Sequence, residues 1–314
     1  MYNSLQYLRG ISAVFVVYFH LWQTTGEQGV AIFFVISGFI MMDIVHKKHR
    51  TAKDFFKARF FRIAPLYYTL TILTLMLGIA YDPTFLRIVQ SFSFTALGSV
   101  LPVGYTLTYE FIFYTLVALS IYKWGGQLQR NIFIIIALIL GDTVLNYILT
   151  SRGFEYGNYF WFFIFGMGSF YLLKNKEELP KILTSKYILI FILVTSTIYL
   201  FLGKYMGFDY YIDNVENYLY NNLIASFLIV TTALILEKDY YLFNNKLLIL
   251  FGNASYSIYL THYILIHYIH DYYDKDFNNI VLFIGSIVLG ILTYKYMETP
   301  MMQYFKGEKI KCVG

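Results

Sequence analysis

Cysteine, proline and charge are all scarce in this chain. Its one cysteine, Cys312, stands near the C-terminal end, which excludes a disulfide framework and any cysteine-based metal site. Charged residues are 14% of the whole, where a soluble globular domain carries about a quarter. There are five prolines in 314 residues, and no internal repeat, low-complexity linker or soluble domain stands out. Hydrophobic residues fill the deficit at 58%, and aromatics alone reach 21%. Apolar runs near twenty residues then predict an all-α, polytopic membrane protein. No small-residue cleavage site follows the first run, so it is expected to be a retained helix.

Ten membrane helices are expected, at 5–23, 29–46, 62–80, 105–123, 131–149, 158–174, 187–203, 218–236, 254–271 and 279–303. Segment 47–62 holds seven Lys or Arg, 174–186 four, the tail after 303 three, and 123–130 and 237–247 two each. The alternate loops hold only Arg87, Arg152, Lys204 and Lys275, and 209–216 and 271–276 are acidic. Basic residues favour the cytoplasmic side, so both termini are expected there. Segment 81–104, with FLRIVQSFSFTALG, is the longest outer loop and suits a short interfacial or re-entrant helix. The expected organisation is one membrane-embedded domain over 1–314, with no appended soluble domain.

Ionisable groups inside such spans usually face the protein interior and serve a function. Arg9 and His20 lie eleven residues apart in LRGISAVFVVYFH. At 3.6 residues per turn they share a face to within about 20°, with a rise of about 16 Å. Alone, Arg9 reads equally as a snorkelling anchor and His20 as an interfacial histidine. Arg59 and Arg62 follow in KARFFRIAP, three apart on one helix face. Glu110 falls in the outer third of the fourth span, with Tyr114 one turn on. Ser255 and His262 share a face of the ninth span, whereas His267 and His270 lie nearer its outer end. Lys295 and Glu298 share a face at the inner end of the last span, where Glu298 suits an arginine counter-ion. Asp142 and Asn146 are a further pair, open between a histidine partner and a substrate path. Ser37 lies at mid-depth beside Gly38, which permits close helix approach.

The residues thus divide by depth. Arg9, Arg59, Arg62 and Lys295 form an inner cationic zone, while His20, Glu110 and His262 form an acid/base zone from the middle outward. Arginine forks match phosphate oxygens, and a histidine with a carboxylate partner suits general-base work. A long ligand with a phosphorylated head and a distant reactive end fits both zones. Acyl-coenzyme A has that shape, and acyl transfer to a hydroxyl approaching from outside is the reaction implied.

Six motifs then occur in a familiar order: LRGISAVFVVYFH, GVAIFFVISGF, RFFRIAP, YTLTYEFIFY, GNASYSIYLTH and YMETP. Together they resemble the acyltransferase 3 family of integral-membrane O-acyltransferases. Tyr105 stands where the family's fourth-helix motif usually has tryptophan. The resemblance covers almost the whole chain and implies a cytoplasmic acyl-CoA donor, most often acetyl-CoA, with no metal. It implies a glycan or lipid-linked oligosaccharide acceptor at the outer face of a bacterial inner membrane. Because the chain ends soon after the tenth span, the single-domain form is expected. No nucleic-acid partner is expected, and homo-oligomerisation or polysaccharide-assembly partners stay open. The competing reading is a proton-coupled transporter relaying protons through His20, Glu110 and His262. That reading calls for internal repeats and broken helices, which the sequence does not show. A non-catalytic scaffold would leave the buried ionisable groups without a purpose.

Overall fold

The computed structural model describes residues 2–23, 26–47, 51–95, 99–124, 127–150, 159–202, 215–240, 244–272 and 278–306. Arg152, Lys204, Lys275, Cys312, the stretch 209–214 and the tail from 307 lie outside the described residues. Among those described, the chain is all-helical, with no strand. The helices are α1 (Asn3–Trp22), α2 (Gly29–Lys47), α3 (Ala52–Met76), α4 (Phe85–Phe92), α5 (Tyr105–Lys123) and α6 (Gln127–Thr150). They continue with α7 (Phe160–Lys174), α8 (Lys186–Leu202), α9 (Val215–Asp239), α10 (Lys246–Tyr272), α11 (Asn279–Thr293) and α12 (Thr299–Lys306).

Each expected segment coincides with a helix, but several begin earlier than expected because a polar cap starts them. The Thr51 hydroxyl accepts from the Asp54 amide at 3.1 Å, so α3 opens at Ala52 rather than 62. Asn245 Oδ1 accepts from the Leu247 and Leu248 amides at 2.9 and 3.1 Å, so α10 opens at Lys246 rather than 254. The outer-loop helix expected after residue 81 is α4, capped by Thr84, and its Phe85, Leu86 and Val89 are exposed. The segment 279–303 is not one α-helix. A π turn, Tyr294–Glu298, separates α11 from α12.

Three helical stretches among the described residues are long and apolar enough to cross a membrane: Gly29–Lys47, Gln127–Ile148 and Asn279–Phe305. Their outer faces differ from those of a soluble protein. On α6, Leu128, Ile132, Ile136, Leu140 and Val144 are exposed in steps of four. On α11, Ile280, Ile284, Val288 and Leu292 repeat the pattern. Unbroken apolar rows of this kind suit a hydrocarbon solvent rather than water.

Two close helix crossings position the interior. Gly38 on α2 and Gly166 on α7 lie against each other's helix backbone, so that a Cβ on either would strike a carbonyl of Phe163 or Val35. Gly10 on α1 and Gly252 on α10 do the same beside Phe251 and Gln6. Small residues at such points let membrane helices pack on dispersion alone. The start of α1 is further fixed by α9, whose Glu237 carboxylate accepts from the Asn3 and Ser4 amides at 2.6 and 2.9 Å. These orphan donors sit at the positive end of the helix dipole, where a carboxylate is favoured.

Candidate active site

Helices α1 and α10 run parallel from the Gly10–Gly252 crossing. Residues one position before and three positions after that crossing, Arg9 and Ser255, line one cavity together. Ten residues further along each helix, His20 meets His262 with ring centroids 4.9 Å apart. One helix pair therefore sets a guanidinium at one level and a pair of imidazoles about 16 Å farther along the axis, at 1.5 Å per residue.

The cavity is walled by α1, α2, α3, α5 and α10. Its polar lining is Arg9, Ser37, Arg59, Arg62, Thr106, Glu110, Tyr114, Ser255, Tyr256 and Tyr259. Phe33, Phe34, Ile36, Ile40 and Met41 supply an apolar wall from α2. Ser37 Oγ donates to Glu110 Oε1 at 2.5 Å, tying α2 to α5. The Tyr256 hydroxyl donates to the Ile63 carbonyl at 2.9 Å and holds α10 against α3 one residue from Arg62. Arg9 is only 9% exposed. Neither Arg9 nor Arg62 makes an ion pair among the described residues. A buried guanidinium without a paired carboxylate is costly, so a cavity that presents one is suited to an anion.

The structure brings Arg9, Arg59, Arg62 and Ser37 to one cavity and sets Glu110 there with them, not beside His20. The sequence reading put Glu110 in the outer third with His20, and here it faces the arginine cavity and holds Ser37. The cause lies in the start of α5. The segment before it is not at the surface: Val100, Leu101 and Val103 are almost wholly buried, so the first turns of α5 already lie inside the bundle. Lys295 is also corrected. Its ammonium lies 5.5 Å above the Tyr296 ring and does not line the cavity. The π turn removes it from the face of Glu298, which is buried and accepts from Ser257 Oγ at 2.6 Å. Glu298 stays within electrostatic reach of Arg62 and Arg9 without pairing directly with either. Asp142 is buried on α6 near Tyr109, Asn146 is exposed, and neither lines the cavity. The His267 ring lies against that of Tyr263, tilted by 32° with centroids 4.0 Å apart.

Sequence reasoning missed Thr106, Tyr256 and Tyr259. Both tyrosines lie inside the motif GNASYSIYLTH, but in a chain with 32 tyrosines residue type alone does not mark them as cavity-lining. Tyr259 matters because it closes the cavity on the side of the histidines, its ring 6.0 Å from that of His262.

The acyltransferase 3 family model, described as an acyltransferase domain, matches residues 2–294. A Staphylococcus aureus (strain COL) protein that bears the name "Putative O-acetyltransferase" is 25% identical over 368 positions, spanning 99% of this chain and 58% of its own length. Peptidoglycan O-acetyltransferase OatA of Listeria monocytogenes is 25% identical, with 98% of this chain and 58% of that protein covered. Exopolysaccharide production protein ExoZ of Rhizobium meliloti is 31% identical over 138 positions, 39% of this chain and 43% of its own. The chain therefore spans less than two thirds of the length of these relatives. No solved structure matches it. With the match running over nearly its full length, the chain belongs to the acyltransferase 3 family.

Proposed function

We propose that the protein is a membrane O-acyltransferase that moves an acyl group, most simply acetyl, from acyl-CoA to a glycan hydroxyl. The observation that carries this reading is the cavity lined by Arg9, Arg59 and Arg62, with the His20–His262 pair beyond it along α1 and α10. The arginines hold the phosphates of the donor. Ser37, Glu110 and Ser255 line the course of its pantetheine arm. His20 takes the proton from the acceptor hydroxyl as that oxygen attacks the thioester carbonyl. Relatives named for peptidoglycan O-acetylation and exopolysaccharide production favour a surface glycan or its lipid-linked precursor as acceptor. A proton-relay transporter gains no support from the geometry, because Glu110 bonds to Ser37 and stands apart from the histidines.

The distribution of basic residues favours a direction. The arginine end of the bundle carries the Lys- and Arg-rich segments, and basic segments face the cytoplasm. We place ten spans in a bacterial inner membrane, both termini inside, with donor entry from the cytoplasm and the histidines toward the outer face. With Cys312 replaced by serine, a cysteine introduced at position 181 is expected to react with an impermeant maleimide only in inverted vesicles. One at position 213 is expected to react in intact cells or spheroplasts. The opposite labelling pattern overturns the orientation and the cytoplasmic-donor reading with it.

A further inference from the structure

We infer that His262 is the residue that orients His20, by accepting a hydrogen bond from a His20 ring N–H at its own Nε2. The inference rests on the reading of His20 as the base. His262 Nδ1 lies 3.1 Å from the Ile258 carbonyl oxygen, one turn back on α10. A carbonyl only accepts, so Nδ1 carries the proton, and in a neutral imidazole Nε2 is then an acceptor. His262 is 0% exposed, and its Nε2 has no hydrogen-bond partner among the described residues. A buried acceptor left without a donor is unfavourable. The nearer of the rings around it is His20, at 4.9 Å and tilted by 51°, while Tyr259 stands at 6.0 Å. Two imidazoles joined by one N–H···N bond of ordinary length have centroids about 5 Å apart. The spacing is already that of a bonded pair, and rotation of the half-buried His20 ring completes it.

The consequence is a fixed tautomer. The partner of one ring nitrogen sets the protonation of the other. With one His20 nitrogen donating to His262, its other nitrogen presents a lone pair to the acceptor hydroxyl. That nitrogen takes the hydroxyl proton as the oxygen–acyl bond forms and the carbon–sulfur bond breaks. The proton then passes to the departing thiolate, which leaves as free thiol. His262 keeps its own proton on Nδ1 throughout. It is a positioning residue, and it takes the place that the sequence reading gave to Glu110.

Two substitutions separate positioning from packing. Asparagine places an amide where Nδ1 stands, so His262→Asn keeps the bond to Ile258 and removes the acceptor. Glutamine reaches the place of Nε2, so His262→Gln restores an acceptor. The full-length variants are expressed in a deletion strain at matched membrane levels, and alkali-labile acetate on the envelope glycan is measured. Acetyl-CoA affinity is measured on the purified proteins. His262→Asn is expected to lose about 100-fold in acetate, within the range for an impaired general base, with donor affinity unchanged. His262→Gln is expected to recover to within about tenfold of wild type. Wild-type acetate from His262→Asn, or a His262→Gln as inactive as His262→Asn, overturns the inference. His20→Ala in the same assay separates the two claims. If it is inactive while His262→Asn is active, only the orienting role falls; if it is active, the base assignment falls and this inference with it.

Discussion

Purified His20→Ala protein is expected to bind acetyl-CoA as tightly as wild type and to transfer the acyl group at least about 100-fold more slowly at saturating donor. General-base assistance is typically worth about 10²–10⁴-fold, or about 2.7–5.4 kcal/mol of barrier at 1.36 kcal/mol per decade. His20 lies far along α1 from the cavity that Arg9 lines, and is not itself among the residues that line it. Its loss therefore leaves the donor's phosphate contacts in place. Folding is also expected to survive, because the α1–α10 crossing rests on Gly10 and Gly252 and not on the imidazole. Initial rates at saturating acetyl-CoA, beside titration calorimetry, check both halves. A rate within about threefold of wild type places the base elsewhere.

The second large effect belongs to the cavity. The Arg59→Ala, Arg62→Ala double variant is expected to weaken acetyl-CoA binding by at least about 100-fold, since hydrogen bonds to charged groups are worth about 1.5–3 kcal/mol each. The rate at saturating donor should change far less. Arg9→Lys keeps the charge but loses the planar fork, and about tenfold weaker binding is expected from it. Isothermal titration of each variant with acetyl-CoA gives the answer. Wild-type affinity in the double variant removes that pair from the donor site.

Much of this site was legible in the sequence, for a definite reason. Arg9 and His20 share a helix face by the 3.6-residue period alone, and Arg59 and Arg62 by their spacing of three. The same period placed Ser255 and His262 on one face, and the structure sets the first at the cavity and the second against His20. What failed was depth. Counting residues from a loop assumes that every helix starts at the bundle surface. The segment before α5 is buried, and Gly29 at the start of α2 already packs so close to the Ser12 carbonyl of α1 that a Cβ there would strike it. Glu110 is therefore grouped with the histidines by sequence, and its Ser37 partner is hidden. Lys295 and Glu298 failed differently. Three residues apart, they share a face in an α-helix but not across the π turn that contains both. Such turns are single-turn bulges, often found at functional sites, and the run YKYME shows none in its pattern. The orienting role of His262 needed the Ile258 carbonyl, which no side-chain pattern reports.

The account's central claim is that the donor enters by the arginine end, from the cytoplasm, while the acceptor is modified at the histidine end. Sealed inside-out and right-side-out membrane vesicles carrying the protein and its native glycan test it most directly. Labelled acetyl-CoA, which does not cross the bilayer, is added outside each. The account predicts alkali-labile label on glycan in inside-out vesicles, and its loss in inside-out vesicles carrying the Arg59→Ala, Arg62→Ala protein. Equal labelling of sealed right-side-out vesicles would contradict it.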